Sequence, residues 1–191
     1  DIIYLMCDLL TTGEVLTPEE QQDGIHRTVY DMAMGTSQML TCMEERLKML
    51  DANADISTFG QEINPFTFGI AKADMLIHGG DPDNMQFGDT LSDDKFKGYQ
   101  FDYCISNPPF GIDWKREAPI VEAEYKKGNA GRFGPGLPSK SDGQMLFLLN
   151  GVKKLKDTGR MAIIQNGSSL FTGDAGSGPS KIRQYLIEND W

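Results

Sequence analysis

The most distinctive chemistry in the sequence belongs to Asn107-Pro108-Pro109-Phe110. An amide oxygen and a backbone carbonyl that both accept protons from an exocyclic amine favour the pyramidal, nucleophilic form of that nitrogen. The two prolines fix φ and leave the preceding carbonyl without a helical or sheet partner, so that it can point at a substrate. An aromatic ring after them can stack on a base taken out of a duplex. The motif predicts group transfer to a nucleobase amine, and a proline-rich turn after a strand is the alternative.

A second group of candidates lies in the turn at residues 31–37, after the first predicted strand. Gly35 would let the backbone approach a ligand, and the N-terminus of the next helix favours a carboxylate or polar group. The segment is not G-x-G-x-x-G, so it gives no support for NAD binding. We interpret Asp31, Gly35, Thr36 and Ser37 as candidate cofactor-binding residues, with an ordinary turn as the alternative.

Two more acidic residues end the next two predicted strands. Glu62 ends the second strand, where an acid can accept hydrogen bonds from both hydroxyls of a ribose. Asp89, followed by Thr90, ends the third strand, where it can accept an adenine amine or simply form a turn. Ligands of parallel sheets sit at the carboxyl ends of the strands, so we expect these residues to share one site with Asp31 and Asn107.

Strand and helix alternate along the chain. Apolar spacing and capping residues predict helices over 2–10, from Thr36, after Asn64-Pro65, over about 143–156 and from Pro179. Strands are predicted at 28–31, 56–62, 85–89, 101–106 and 160–165, and loops at 11–27, 111–142 and 166–178. This alternation predicts an α/β fold, a mostly parallel sheet with helices on both faces.

The composition of the chain limits which partners the protein can bind alone and in which cellular compartment we expect it. The net charge is −10, and the basic residues form only small scattered groups. A protein that grips DNA alone usually has a basic face, so another domain or subunit would supply most phosphate contacts. No apolar run is long enough for a membrane span, no basic region opens a signal peptide, and three scattered cysteines suggest reduced thiols in the cytoplasm. The two histidines have no partner at metal-ligand spacing, so we expect no metal.

The stretch from Thr28 to Trp191 resembles the modification (M) subunit of type I restriction-modification systems. Besides the Asn-Pro-Pro-Phe motif, the resemblance rests on residues 60–64, 71–79, 87–91, 131–136, 141–143 and 166–168. It implies the Rossmann-like class I methyltransferase fold and methylation of adenine N6 in DNA, with S-adenosylmethionine as methyl donor. It also implies that a specificity (S) subunit selects the target, that a restriction (R) subunit cleaves, and that a second copy of the chain joins the complex.

The sequence departs from the family pattern in two respects. The family's first motif usually reads Asp-Pro-x-x-Gly-Thr-Gly, whereas Met32 replaces the proline here and Ser37 replaces the last glycine. If that position has a positive φ, serine would cost about 1 kcal/mol and crowd the cofactor. We also expect the N-terminal helical domain and the last strands of the family to have no counterpart in residues 1–191, so that these residues form a single, partial catalytic domain.

Two alternatives to a DNA adenine methyltransferase stay open from the sequence. A related enzyme with the same motif would methylate RNA guanine or a glutamine amide in a protein. A non-catalytic assembly module would keep the fold and lose the cofactor, which the serine at position 37 favours. Assays on DNA, RNA and protein, together with calorimetry, separate these possibilities.

Overall fold

A five-stranded sheet forms the centre of the molecule in a computed structural model that describes residues 2–191. All neighbouring strands are parallel, in the order β3-β2-β1-β4-β5. The strands are β1 (His26–Asp31), β2 (Asp55–Glu62), β3 (Met85–Phe87), β4 (Phe101–Ser106) and β5 (Leu155–Ile163). The strand order reverses between β1 and β4, where an open α/β sheet forms a crevice at its carboxyl edge. The predicted α/β fold is confirmed.

Helices cover both faces of this sheet, and each face has its own apolar cluster. The helices are α1 (Ile2–Thr11), α2 (Glu20–Asp23), α3 (Gln38–Leu50), α4 (Pro65–Ile77), α5 (Ala118–Tyr125), α6 (Gln144–Lys153) and α7 (Gly178–Glu188). Side chains of α1, α3 and α4 form one cluster with β1, whereas those of α5, α6 and α7 form the other. Burial of these apolar stripes is the main force that holds the helices against the sheet.

The sequence signals at the ends of α4 are confirmed. The side-chain oxygen of Asn64 accepts hydrogen bonds from the backbone N–H groups of Phe66 (3.0 Å) and Thr67 (3.2 Å), which have no partner within the helix. Pro65 occupies the first helical position, and Gly79 ends the helix with a φ of 78° that suits glycine.

Some predicted boundaries were wrong. The predicted loop at 11–27 contains the short helix α2 and the first residues of β1, and β3 stops at Phe87, two residues before Asp89. Helix α6 ends at Lys153, and β5 begins at Leu155 instead of residue 160. The early part of β5 lies at the sheet edge and is polar, with an irregular register against Phe101 and Tyr103. Its sequence therefore resembles a turn, although its backbone pairs with β4.

The segment 111–142 was predicted as a long loop, which was also wrong. It contains α5 and a short 3-10 turn, and its side chains enter the core. Trp114 is 1% exposed and donates from Nε1 to the carbonyl of Ser139 at 2.9 Å. The N–H of Gly143 donates to the carbonyl of Ile112 at 2.9 Å. These contacts fold the chain that follows the Asn-Pro-Pro-Phe motif back against the start of α6.

Among residues 2–191, no helix combines the length and apolar character that crossing a membrane requires. Nor does this part of the chain gather three or more histidine, cysteine or acidic side chains into a group that could hold a metal ion.

Candidate functional site

A cleft of about 440 Å³ lies at the carboxyl ends of β2 and β4 and beside the turns that follow β1 and β3. Five predicted site residues line it: Glu62, Asp89, Thr90, Asn107 and Pro109. The other residues that line it are Met32, Ala33, Gln61, Ile63, Gly88, Leu91, Ile112, Asp113, Glu117, Gly143 and Phe147. The expectation that polar residues at successive strand ends share one site is therefore met for β2, β3 and β4.

Two residues of the motif after β4, Asn107 and Pro109, line this cleft. Asn107 and Pro109 are exposed, whereas Pro108 is buried between them. Within residues 2–191, no hydrogen bond engages the Asn107 side chain or the backbone carbonyl of Pro108. Phe110 is 47% exposed and lies next to the cleft-lining residues in sequence. The motif thus offers two unused acceptors and an accessible ring.

Asp31 lies beneath the cleft and not in its wall. It ends β1 and is 1% exposed, and the next two residues, Met32 and Ala33, line the cleft in its place. Its Oδ1 accepts hydrogen bonds from the hydroxyl of Ser106 (2.6 Å) and the N–H of Ala33 (3.0 Å). Burial, with a smaller contribution from the nearby charge of Glu62, raises the pKa of Asp31 to about 7 in spite of the lowering effect of the two hydrogen bonds. Asp31 therefore links the ends of β1 and β4.

The rest of the turn after β1 departs from the prediction. Gly35 has a φ of 55°, and its N–H donates to Oε2 of Glu62 at 3.0 Å, so it supports a residue of the cleft. Thr36 is exposed and lines a separate depression between α3 and α4. Ser37 is buried, and its hydroxyl donates to Oδ2 of Asp74 on α4 at 3.1 Å. Thr36 and Ser37 therefore do not reach the cleft that we identify.

The conformation of Ser37 agrees with the family pattern even though its side chain does not crowd the cleft. Its φ is 69°, in the left-handed region that the glycine of the family motif would adopt freely. The hydrogen bond from Ser37 to Asp74 offsets part of the strain. The same carboxylate also accepts from the hydroxyl of Thr41 at 3.3 Å. The expected positive φ is present, and the Ser37 side chain does not line the cleft. The expectation that it crowds the cofactor stays a prediction.

The carboxylate of Glu62 is held by two backbone donors. Oε1 accepts from the N–H of Asn64 at 2.7 Å, and Oε2 accepts from the N–H of Gly35 at 3.0 Å. A carboxylate has about four lone-pair sites, so two remain for a ligand. Glu62 is therefore oriented in advance and can still accept from a vicinal diol.

The loop after β3 is also fixed by its own hydrogen bonds. Asp89 accepts from the N–H of Leu91 at 2.8 Å and from the hydroxyl of Ser92 at 3.0 Å. The hydroxyl of Thr90 donates to the carbonyl of Met32 at 2.5 Å, which ties this loop to the turn after β1. Thr90 thus holds the two sides of the cleft together.

Sequence reasoning missed Arg132 as a support for this loop. Its side chain is 8% exposed, and its Nη1 and Nη2 donate to the carbonyls of Thr90 (2.6 Å) and Leu91 (3.0 Å). Glu124 and Asn150 accept further hydrogen bonds from the same guanidinium. A planar group with five donors is well suited to hold several acceptors at fixed angles. Arg132 stands in a segment that was interpreted as loop, and no local pattern in the sequence indicates this role.

Sequence reasoning also missed the acidic character of the cleft. Asp113 and Glu117, which follow the Asn-Pro-Pro-Phe motif, line it together with Glu62 and Asp89. The remaining wall is largely apolar and includes Met32, Ile63, Leu91 and Phe147. Such a wall fits a ligand that combines a flat ring, hydroxyl donors and positive charge.

The parallel sheet, the helices on both faces and the cleft at the strand ends define the Rossmann-like fold of class I S-adenosylmethionine-dependent methyltransferases. A Listeria monocytogenes structure assigned to that class shares the fold, with a TM-score of 0.66 and 16% identity over 98% of this chain and 49% of its own. The chain belongs to the N-6 DNA Methylase family, whose model matches residues 1–191.

Two further relatives are more similar in sequence. The type I restriction enzyme MjaIX methylase subunit of Methanocaldococcus jannaschii is 26% identical over 165 residues, which cover 85% of this chain and 28% of that protein. The crystal structure of a type I restriction-modification system methyltransferase subunit from Streptococcus thermophilus is 29% identical, with a TM-score of 0.76, over 98% of this chain and 37% of its own. The chain spans between 28% and 40% of the length of five curated relatives that it matches.

Proposed function

We propose that this chain is the catalytic part of a site-specific DNA methyltransferase, which transfers a methyl group from S-adenosylmethionine to adenine N6. The observation that carries this proposal is that Asn107, with an amide free of internal hydrogen bonds, lines the same cleft as Glu62 and Asp89. Family membership and the names of the relatives support it.

We assign the adenine end of the cleft to the residues after β4. Oδ1 of Asn107 and the carbonyl of Pro108 accept the two protons of the amine, which makes its lone pair available for attack. Pro109 keeps the following chain from turning back onto these acceptors, because its φ is fixed. Phe110 stacks on the base once it has left the duplex.

We assign the methyl-donor end to the strand ends of β1, β2 and β3. The cleft volume of about 440 Å³ lies within the range of about 300–1,000 Å³ that is usual for small-molecule sites. Glu62 accepts from the ribose hydroxyls, and Asp89 accepts from the adenine amine beside Thr90. Gly35 and Asp31 act through Glu62 and Ser106, whereas Thr36 and Ser37 shape the turn without touching the ligand. The bound donor supplies an electrophilic methyl group on a sulfonium.

We also propose the partners and the setting. As the modification subunit of a type I system, the chain would work with a specificity subunit, a restriction subunit and a second copy of itself on DNA, in the cytoplasm. The net charge of −10 supports this division, since other subunits would supply much of the positive charge that a duplex requires. Residues 1–191 form one catalytic domain in this proposal.

The experiment that tests the function is a transfer assay with the full chain and its specificity subunit. The complex is incubated with methyl-labelled S-adenosylmethionine and, separately, with unmethylated duplex DNA, RNA and protein, and the modified product is identified by mass spectrometry. We expect N6-methyladenine in DNA. Transfer to RNA or to a glutamine would contradict the assigned substrate. An absence of donor binding in calorimetry would instead identify a non-catalytic assembly module.

A further inference from the structure

Glu117 differs from the other three acidic residues that line the cleft, because its side chain has no partner. Glu62 and Asp89 each accept two hydrogen bonds from within the chain, and Oδ1 of Asp113 accepts from the N–H of Lys115 at 3.3 Å. Within residues 2–191, neither a hydrogen-bond donor nor a basic side chain engages the carboxylate of Glu117. Glu117 is half-buried, and a carboxylate that is drawn out of water without a partner costs free energy. A donor on a ligand would supply the missing partner.

Helix α5 fixes the position of Glu117. This residue directly precedes the helix and already has helical backbone angles (φ −82°, ψ −12°). Glu117, Val121 and Glu124 are spaced as i, i+4 and i+7, so they lie on one face of α5. Val121 is buried, and Glu124 forms an ion pair with Arg132. The helix is therefore held along the face that brings Glu117 to the cleft.

The contacts of α5 place Glu117 beside the loop after β3. Arg132, the ion-pair partner of α5, also donates hydrogen bonds to the carbonyls of Thr90 and Leu91. Leu91 belongs to the same apolar cluster as Ala118, the first residue of α5. The start of α5 and the loop after β3 thus meet at the end of the cleft that we assign to the adenine of the methyl donor.

We infer that Glu117 accepts a hydrogen bond from the exocyclic amine of the donor's adenine and thereby selects an aminopurine, which rests on the proposed function. The amine has two N–H donors. In the proposed arrangement Asp89 accepts from one of them, which leaves the other for a carboxylate on the side of α5. A purine with a carbonyl oxygen in place of the amine would offer no proton and would repel both carboxylates. Glu117 therefore determines which donor binds and takes no part in the transfer of the methyl group.

The test compares two ligands that lack a transferable methyl group. S-adenosylhomocysteine has the amine, and S-inosylhomocysteine has a carbonyl oxygen at the same position. Calorimetry measures the affinity of both for the full chain in wild type, Glu117→Ala and Glu117→Gln. The matched control is Glu19→Gln, an exposed glutamate that does not line the cleft. We expect wild type and control to prefer the adenosyl ligand by about 100-fold or more.

The two variants of Glu117 should change this preference in different ways. Glu117→Ala should lose about 10- to 100-fold in affinity for the adenosyl ligand, the cost of one hydrogen bond to a charged acceptor, and nothing for the inosyl ligand. Glutamine can donate from its amide to the carbonyl oxygen, so Glu117→Gln should bind the inosyl ligand about 10-fold more tightly than wild type does.

An equal loss for both ligands in Glu117→Ala would overturn the inference, because a carboxylate that supports the fold or contacts the amino-acid end of the ligand acts on both alike. An unchanged preference in Glu117→Gln would also overturn it. Labelled methyl transfer to DNA, measured in parallel, keeps the two proposals distinct. DNA methylation with an unchanged preference in both variants contradicts this inference only, whereas a preference that depends on Glu117 without DNA methylation contradicts the proposed function only. A wild-type chain that binds neither ligand would overturn both.

Discussion

The turns after β1 and after β4 lie side by side at the reversal of the strand order, and they use their polar groups in opposite ways. In the turn after β1, the groups are committed internally: Asp31 to Ser106 and Ala33, Gly35 to Glu62, and Ser37 to Asp74. In the turn after β4, the amide of Asn107 and the carbonyl of Pro108 have no partner within residues 2–191.

This contrast separates residues that hold the site in place from residues whose polar groups are free to contact a ligand. A polar group that is already hydrogen-bonded contributes by fixing geometry, and its removal disturbs the fold or a neighbour. A polar group that remains free at a cleft contributes little to stability, and its removal affects mainly a ligand. The same side-chain chemistry therefore predicts different phenotypes in the two turns.

Asn107→Ala should show the largest effect, and it tests the turn after β4. In the proposed reaction, the change removes an acceptor at the reacting amine, and it removes no internal hydrogen bond. We expect methyl transfer to fall about 100-fold or more, the usual cost of losing such a group, with an unchanged melting temperature. Steady-state assays and thermal denaturation measure the two quantities, with Asn53→Ala as an exposed control. A mutant with near-normal turnover would contradict the role of Asn107.

Glu62→Ala tests a residue that belongs to both classes, since it is held by the turn and faces the cleft. The loss of an acceptor for the ribose should weaken S-adenosylmethionine binding by about 1–3 kcal/mol. Stability should fall by less, because the orphaned N–H groups of Gly35 and Asn64 can turn to water. Calorimetry on the mutant and on the exposed control Glu19→Ala checks this. Equal affinities would place the ribose contact on another residue.

Asp31→Asn tests the turn after β1 through pH. The folded pKa of about 7 lies above the unfolded value, so the native state binds the proton more tightly. The stabilising contribution of Asp31 is therefore complete at low pH and is lost as the pH rises towards and through about 7. Asparagine resembles the protonated form, so the mutant should gain about 2 kcal/mol relative to wild type between about pH 5.5 and pH 8. Urea unfolding at both pH values measures this difference, and a constant difference would contradict the burial argument.

Substitutions of Ser37 should have the smallest effects. Glycine removes the strain of the positive φ and also the hydrogen bond to Asp74, so stability should stay within about 1 kcal/mol of wild type. Alanine keeps the strain and loses the hydrogen bond, so Ser37→Ala should be less stable than Ser37→Gly by about 1 kcal/mol. Cofactor affinity should be the same in both, since the side chain faces α4. If Ser37→Gly alone bound the cofactor more tightly, the serine side chain would crowd the cofactor after all.

The fold and the placement of Asn107 at the cleft could be predicted because their signals are local. Strand β4 is apolar and ends directly at the motif, and Asn64-Pro65 marks a helix start by capping chemistry alone. The residues that hold the site in place could not be predicted, because their roles depend on contacts between segments that are distant in sequence. Nothing near Arg132 in sequence indicates that its guanidinium meets the carbonyls of Thr90 and Leu91.

Helix α5 escaped prediction for a related reason. Its eight residues contain Pro119, and its two neighbouring turns are rich in lysine and glycine. The apolar face is therefore short, and only Ala118 and Val121 of the helix are buried. Propensity is a weak guide over such a length, and tertiary packing against the second cluster decides the outcome.

The four carboxyl side chains around the cleft, Glu62, Asp89, Asp113 and Glu117, have a consequence for what can enter it. Negative charge in a concave wall repels phosphates and draws in cations, and the effect is stronger in a cleft than on an open surface. A strand of DNA cannot lie along such a wall, whereas an extruded base, which carries no charge, can pass beyond its own phosphates. For the function proposed above, we therefore expect the charge of the cleft wall to favour entry of a cationic methyl donor and of a single neutral base, and to keep the polyanionic backbone outside.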